Sequence, residues 1–181
     1  MRALIYIIQA LSMLVTFVFL LRFWLPWVRA DFRNAIAQGI LQVTSPVINP
    51  IRRIVPSIGR IDTATVLVLF AIQAVTWMLV MTISGGELTP RLILILSLMN
   101  LVQQSIRIFM FAIIIRIVLV WVAPHVYNAA TALIANLTDP ILRPFRSVIP
   151  PIGGLDISPV FAIIALGALD ILFSDLVAGA L

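Results

Sequence analysis

The sequence predicts an all-α membrane protein with four transmembrane helices, arranged as two parallel tandem repeats. Each repeat runs span, interfacial helix, Pro-rich loop, span. Three observations lead there. Hydrophobic residues make up 62% of the 181 and charged residues 10%, where a soluble domain carries about 25% charge. Mean hydropathy is +1.18. The third observation is an internal repeat. TSPVINPIRRIVPSIGRIDTATV at 44–66 returns as TDPILRPFRSVIPPIGGLDISPV at 138–160, 94 positions further on and without a gap. Self-similarity at one fixed offset marks two copies of one unit, here 1–87 and 88–181.

The first span covers about 3–21, an apolar run between Arg2 and Arg22. No small-residue cleavage site follows it, so it reads as a span and not a signal peptide. Arg22 and Trp27 anchor its far end, the arginine snorkelling to headgroup level beside an aromatic belt. Asn34 to Val43 is mildly amphipathic and reads as a short helix along the interface. Pro46, Pro50 and Pro56 then each remove a backbone donor and disfavour helix at the residue before, so a folded-back loop is expected. Asp62 stands where an N-cap belongs, ahead of the second span at about 63–83.

SGGELTP at 84–90 is turn sequence and divides the copies. The offset assigns the third span to about 97–115, with Arg116 and Trp121 as its anchors. An interfacial helix over 129–137 follows, then the second motif and a fourth span at about 159–176. Each copy contributes two spans, so both enter the membrane in the same sense and both motif loops share one face. Arg22, Arg29, Arg33, Arg52, Arg53 and Arg60 cluster on that face, against Arg91 in the link and Arg2 at the start. The positive-inside rule therefore places the motif loops in the cytoplasm and both termini in the periplasm.

Two constellations carry the functional interest. The first is the motif itself: Pro46, Pro50, Arg52, Pro56, Gly59 and Asp62, matched by Pro140, Pro144, Arg146, Pro150, Gly153 and Asp156. Each arginine precedes its aspartate by ten residues, which predicts one charge-assisted contact per copy. Such a contact either only folds the segment or also builds a docking or lipid-headgroup surface. The second is confined to the second copy. Asn100, Gln103, Gln104 and Arg107 fall at i, i+3, i+4 and i+7 and form one polar face. Helix rise places Arg107 and Asp170 at matching depth on antiparallel spans, so an intramembrane pair is expected. It is either a staple between spans or part of a polar path.

Other chemistry is excluded or unsupported. All the basic side chains are arginine, and they flank apolar spans, so lipid is favoured over nucleic acid. There is no cysteine, and His125 is the single histidine. That rules out a thiolate nucleophile, a cysteine or three-histidine metal site, and bis-histidine haem ligation within one chain. With no catalytic triad, phosphate-binding Gly loop or paired catalytic carboxylates, no enzyme, no metal and no cofactor are expected.

The repeated P-x-x-x-P-[IF]-R-x-x-[VI]-P-x-I-G-x-[IL]-D pattern, preceded by an Arg…Trp span end, resembles the YggT family, also called YlmG-like. The likeness covers essentially the whole chain, in the two-repeat form typical of proteobacteria. The resemblance implies a small inner-membrane protein without an established enzymatic activity. Photosynthetic members of that family are linked to haem attachment in cytochrome b and to plastid nucleoid or division phenotypes. Bacterial members are linked to division-associated gene clusters and to osmotic-stress tolerance. The expectation is a non-enzymatic scaffold or assembly factor in the bacterial inner membrane, with ion or small-solute transport along the third span as the alternative. Its expected partners are the lipid bilayer through anionic headgroups, an unidentified membrane or cytoplasmic protein and, as a further option, a second copy in a homo-oligomer.

Overall fold

In a bilayer an apolar segment has no water to satisfy its amides, so its backbone must bond to itself. The structure, a computed structural model, describes residues 1–59, 61–86, 89–122, 126–151 and 156–180. The described residues form six helices: α1 (Arg2–Trp24), α2 (Ala35–Arg52), α3 (Thr63–Ser84), α4 (Pro90–Val122), α5 (Ala129–Val148) and α6 (Ser158–Ala180). Four of them, α1, α3, α4 and α6, are long and apolar enough to cross a membrane. The protein is a multi-pass membrane protein. The third span is longer than expected, 33 residues in place of 97–115, because apolar sequence continues past both ends of the repeat-derived boundaries. At about 1.5 Å per residue it exceeds a hydrocarbon core of about 30 Å, so it tilts or projects.

The helices α2 and α5 are amphipathic and lie between the spans of their copies. Each starts on an asparagine cap. Asn34 Oδ1 accepts from the Ile36 and Ala37 amides, and Asn128 Oδ1 from those of Ala130 and Thr131. Such a cap supplies partners to the orphan donors of the first turn. Each helix buries one stripe: Ala37, Ile40, Thr44 and Ile48 on α2, Leu133, Leu137, Thr138 and Leu142 on α5.

Both helices run further than their prolines suggest. Pro46 and Pro50 lie inside α2, and Pro140 and Pro144 inside α5, so the first half of each expected loop is helix. The spacing explains the tolerance. Prolines four apart share one helix face, and all four are exposed. The carbonyls that lose their amide partners therefore open on the outer side, and the buried side keeps its bonds. The loop proper begins after Arg52 and Val148.

Within each copy the two spans pack together, α1 on α3 and α4 on α6. Between copies, α3 and α1 pack on α4, and α2 packs on α5. A core of Leu25, Ala37, Ile40, Phe109, Ala112 and Leu133 joins α2, α4 and α5. Two polar contacts fasten the copies: Trp24 Nε1 donates to Ser105 Oγ at 3.2 Å, and Asn34 Nδ2 donates to the Ala129 carbonyl at 2.7 Å. The amphipathic helices that lead into the two motif segments are thereby fastened to each other near their first turns.

Candidate functional site

Each motif cluster is assembled from three helices of its own copy. The C-terminal part of the first span brings in Arg22 or Arg116, the end of the amphipathic helix brings in Arg52 or Arg146, and the residues just before the next span bring in Asp62 or Asp156. In the first copy Arg52 NH2 donates to Asp62 Oδ2, which also accepts from Thr65 Oγ1 at 2.7 Å. In the second, Arg146 Nε donates to Asp156 Oδ2 at 2.8 Å. Asp156 Oδ1 accepts the Ser158 amide at 3.0 Å and so caps α6. Asp62 does not cap α3 with its side chain; Arg52 and Thr65 both bond its Oδ2, and its buried Oδ1 has no hydrogen-bond partner among the described residues.

The loop between Arg52 and Asp62 is a tight turn. Ile58 and Ile61 exchange backbone hydrogen bonds of 3.1 and 3.0 Å. Gly59 takes φ +59, and the space a Cβ would fill is open, so glycine serves the left-handed backbone there and not a close approach. Thr63 Oγ1 closes the loop onto the Pro56 carbonyl at 2.6 Å. Pro56 and Pro150 lie in the non-helical segments. Gly153, Arg60, Pro124 and His125 lie outside the described residues.

The span-end arginines do not reach outward as anchors. Arg22 is only 5% exposed and turns into the protein. Its NH1 donates to Thr44 Oγ1 (2.7 Å), Ser45 Oγ (3.2 Å) and the Leu41 carbonyl (3.3 Å). Arg116 NH1 repeats the pattern 94 residues on, at Thr138 Oγ1 (2.6 Å), Asp139 Oδ1 (2.6 Å) and the Ala135 carbonyl (3.5 Å). The reason is acceptor supply. The amphipathic helix presents a hydroxyl and a carbonyl within reach, and several bonds to a charged donor outweigh snorkelling. Trp27 and Trp121 do remain exposed at the span ends.

Electrostatically the aspartates of the two clusters behave alike. Burial pushes the Asp139 carboxyl up, but hydrogen bonds and charge from Arg116 and Arg146 outweigh it and hold its pKa below the ordinary 3.8. Asp62 behaves likewise: burial raises it, and Thr65, Arg52 and Arg22 together bring it below the ordinary value. Arg22 Nε is 3.8 Å from Asp62 Oδ2, an ion pair too long for a hydrogen bond, and it has no hydrogen-bond partner.

Within the spans, Arg107 Nε donates to both oxygens of Asp170, at 3.1 and 3.3 Å. Gln103 donates to Ser174 Oγ, and Gln104 Nε2 to Asn100 Oδ1 at 2.7 Å. The first copy has polar contacts that sequence reasoning missed: Gln73 Nε2 to Thr16 Oγ1 (3.0 Å) and Thr76 Oγ1 to Ser12 Oγ (2.7 Å). Thr76 and Asp170 are 94 apart, so each copy places a polar link at the same point of its span pair. A serine and a threonine on facing apolar helices were the available signal. Among the described residues no group of three metal-ligating side chains comes together.

Comparison with known proteins matches this architecture. A family model described as CCB3/YggT matches residues 1–83 and again 95–177, with the same offset as the motif. An uncharacterised protein of Pseudomonas aeruginosa is 42% identical over 173 residues, which is 94% of this chain and 87% of that protein. The uncharacterised protein YggT of Escherichia coli K12 is 32% identical over 169 residues, 92% of this chain and 86% of that protein. A YlmG homolog protein 2, chloroplastic, of Arabidopsis thaliana is 40% identical over 63 residues, 35% of this chain and 25% of that protein. No solved structure matches the chain.

Proposed function

Because the chain belongs to the CCB3/YggT family, and the helices that carry its two motif clusters pack on each other, we propose that it is a non-enzymatic membrane scaffold or assembly factor. Its twin Pro/Arg/Asp segments dock a protein partner. The observation that carries this reading is the make-up of the face. Half-exposed guanidinium groups of Arg52 and Arg146 stand beside exposed aliphatic side chains, Ile54 at 83% and Val148 at 79%. Arginines fixed by aspartates, next to apolar anchors at the C-terminal ends of the amphipathic helices, are what a recognition surface requires. The two anchors are equivalent in the repeat, so the face offers two similar contact points, and binding through both gains from their proximity.

We place the protein in the bacterial inner membrane with the motif face in the cytoplasm, on the excess of arginine there. The test is site-specific photocrosslinking in cells from Ile54 and Val148. The reading expects one discrete protein adduct from both positions, lost on Arg52→Ala or Arg146→Ala. Adducts of lipid alone, or adducts indifferent to both substitutions, would overturn it.

A second reading draws on Arg107, which is 51% exposed on its span despite its charge. It lines a largely apolar groove of about 370 Å³ with Met13, Phe17 and Gln104. If copies of the chain closed that groove, a polar path would result. Solute flux into vesicles that fell on Arg107→Met with Asp170→Thr, at unchanged folding, would support transport over the scaffold.

A further inference from the structure

The two motif clusters differ at one decisive position. Of the two hydroxyls that Arg22 meets on α2, Thr44 has the counterpart Thr138 and Ser45 has the counterpart Asp139. Asp139 Oδ1 accepts from Arg116 NH1 at 2.6 Å and from Arg146 NH1 at 3.1 Å, while Asp156 takes Arg146 Nε. In the second copy, then, two guanidinium groups face two carboxylates and the cluster neutralises itself.

The first copy lacks the second carboxylate. Arg22 and Arg52 share Asp62 alone. A third arginine, Arg29, joins them where the second copy has alanine at 123. Arg22, Arg29, Arg52 and Asp62 line one cavity of about 750 Å³, with Ser57 and Gly59. Three guanidinium groups against one carboxylate leave an excess of two positive charges. Among the described residues no further carboxylate lies within 4.0 Å of any of the three arginines.

A second observation points the same way. Arg22 is 95% buried (5% exposed), yet its Nε has no hydrogen-bond acceptor. A buried guanidinium with an unused donor is costly, and it is ordinarily completed by an acceptor. In the second copy the span-end arginine meets an anionic oxygen, Asp139 Oδ1 on Arg116 NH1, where Arg22 NH1 meets only the neutral Ser45 hydroxyl at 3.2 Å. In the first copy Arg22 Nε is left to an oxygen from outside the chain. The cavity lies between the end of the first span with the segment that follows it and the motif loop after α2, and its size falls in the usual range for a small-ligand site.

We propose that the first repeat carries an anion site in which Arg22, Arg29 and Arg52 bind a phosphate group, and that Asp139 is the built-in substitute for that phosphate in the second repeat. Arginine recognises phosphate through paired N–H donors, and an excess of two positive charges on three guanidinium groups suits a phosphodiester or a free phosphate. The source is either the headgroup of an anionic phospholipid or a soluble phosphate. The site deepens the scaffold reading by naming a ligand class at the docking face. It rests on that reading for its location only, because the test is made on the purified protein without any partner.

The experiment measures binding to the full chain in nanodiscs of phosphatidylcholine. Phosphatidylglycerol is included in one arm, and inorganic phosphate is added at matched ionic strength in the other. The wild-type chain is expected to bind one ligand. Ser45→Asp, which copies the network of the second repeat, is expected to weaken binding at least about tenfold. Arg29→Gln weakens it severalfold, and Asp139→Ser creates a second site. Ser45-dependent binding of phosphatidylglycerol identifies the source as lipid, and Ser45-dependent binding of inorganic phosphate alone identifies a solute; either supports the site. Binding of neither, or binding equally strong in Ser45→Asp, overturns it. Should Ser45→Asp not fold, Arg29→Gln decides, since Arg29 is exposed and outside the Arg22–Thr44 network. A negative result here with protein crosslinks intact removes the anion site and leaves the scaffold standing.

Discussion

Asp170→Asn removes the charge that Arg107 is paired with and leaves the guanidinium on a membrane span without a counter-ion. An unpaired arginine near the centre of a span costs about 2.5–3.5 kcal/mol on insertion scales. Arg107 is 51% exposed and has a long side chain that can reach toward the interface, so the cost falls somewhat below that range, to about 2 kcal/mol. The paired change Arg107→Met with Asp170→Thr installs the residues that the first copy holds at Met13 and Thr76. There Thr76 Oγ1 donates to the Ile72 carbonyl at 2.7 Å, a contact that a threonine at 170 can make to Leu166. The paired change is therefore expected to cost only about 0–1 kcal/mol, with a coupling of at least about 1 kcal/mol in the double-mutant cycle. Reversible unfolding in mixed micelles, with all four variants of the cycle, measures these quantities. If Asp170→Asn alone destabilised the protein no more than the paired change, the ion pair would be refuted as the link between these spans.

Three further predictions concern the motif face. Thr44→Val takes from Arg22 its shortest hydrogen bond, 2.7 Å in a buried setting, and should destabilise by about 2 kcal/mol in the same unfolding assay. Thr138→Val should cost less, because Arg116 keeps the carboxylate of Asp139. Gly59→Ala forces a left-handed residue with a Cβ and should cost about 1 kcal/mol, read as faster hydrogen exchange at Ile58 and Ile61. The carboxyls of Asp62 and Asp139 have folded-state pKa values below the ordinary 3.8. Such groups add stability above the unfolded value and lose it as pH falls through the folded one. Stability should thus hold down to about pH 4 and decline below it. Asp139→Asn should flatten that decline, and a decline already complete at neutral pH would contradict the assignment.

Spans, repeat and motif partners were legible in the sequence because each depends on a local or strictly periodic signal. Apolar length identifies a span, and a fixed offset aligns Arg52 with Arg146 and Asp62 with Asp156. Helix rise alone put Arg107 and Asp170 at one depth. What the sequence hid were choices between competing partners. The prolines at 46, 50, 140 and 144 read as helix breakers one at a time, and only their common exposed face lets α2 and α5 continue through them. Arg22 reads as an interfacial anchor until Thr44 and Leu41 are seen to offer acceptors within reach. Asp62 reads as a cap until its Oδ2 is seen to face Arg52 and Thr65 instead of the helix amides. The charge difference between Ser45 and Asp139 was present in the sequence, but it acquires meaning only once both are seen to face the span-end arginine.

A single docking face requires both motif clusters on one side of the membrane. The absence of native cysteine allows a direct test, with single cysteines at Ile54, Val148 and Ser84 and a membrane-impermeant thiol reagent applied from each side. Parallel repeats predict that Ile54→Cys and Val148→Cys react from the same side, the cytoplasmic one, and that Ser84→Cys reacts from the other. Reaction of Ile54→Cys and Val148→Cys from opposite sides would contradict the parallel arrangement and, with it, the single docking face.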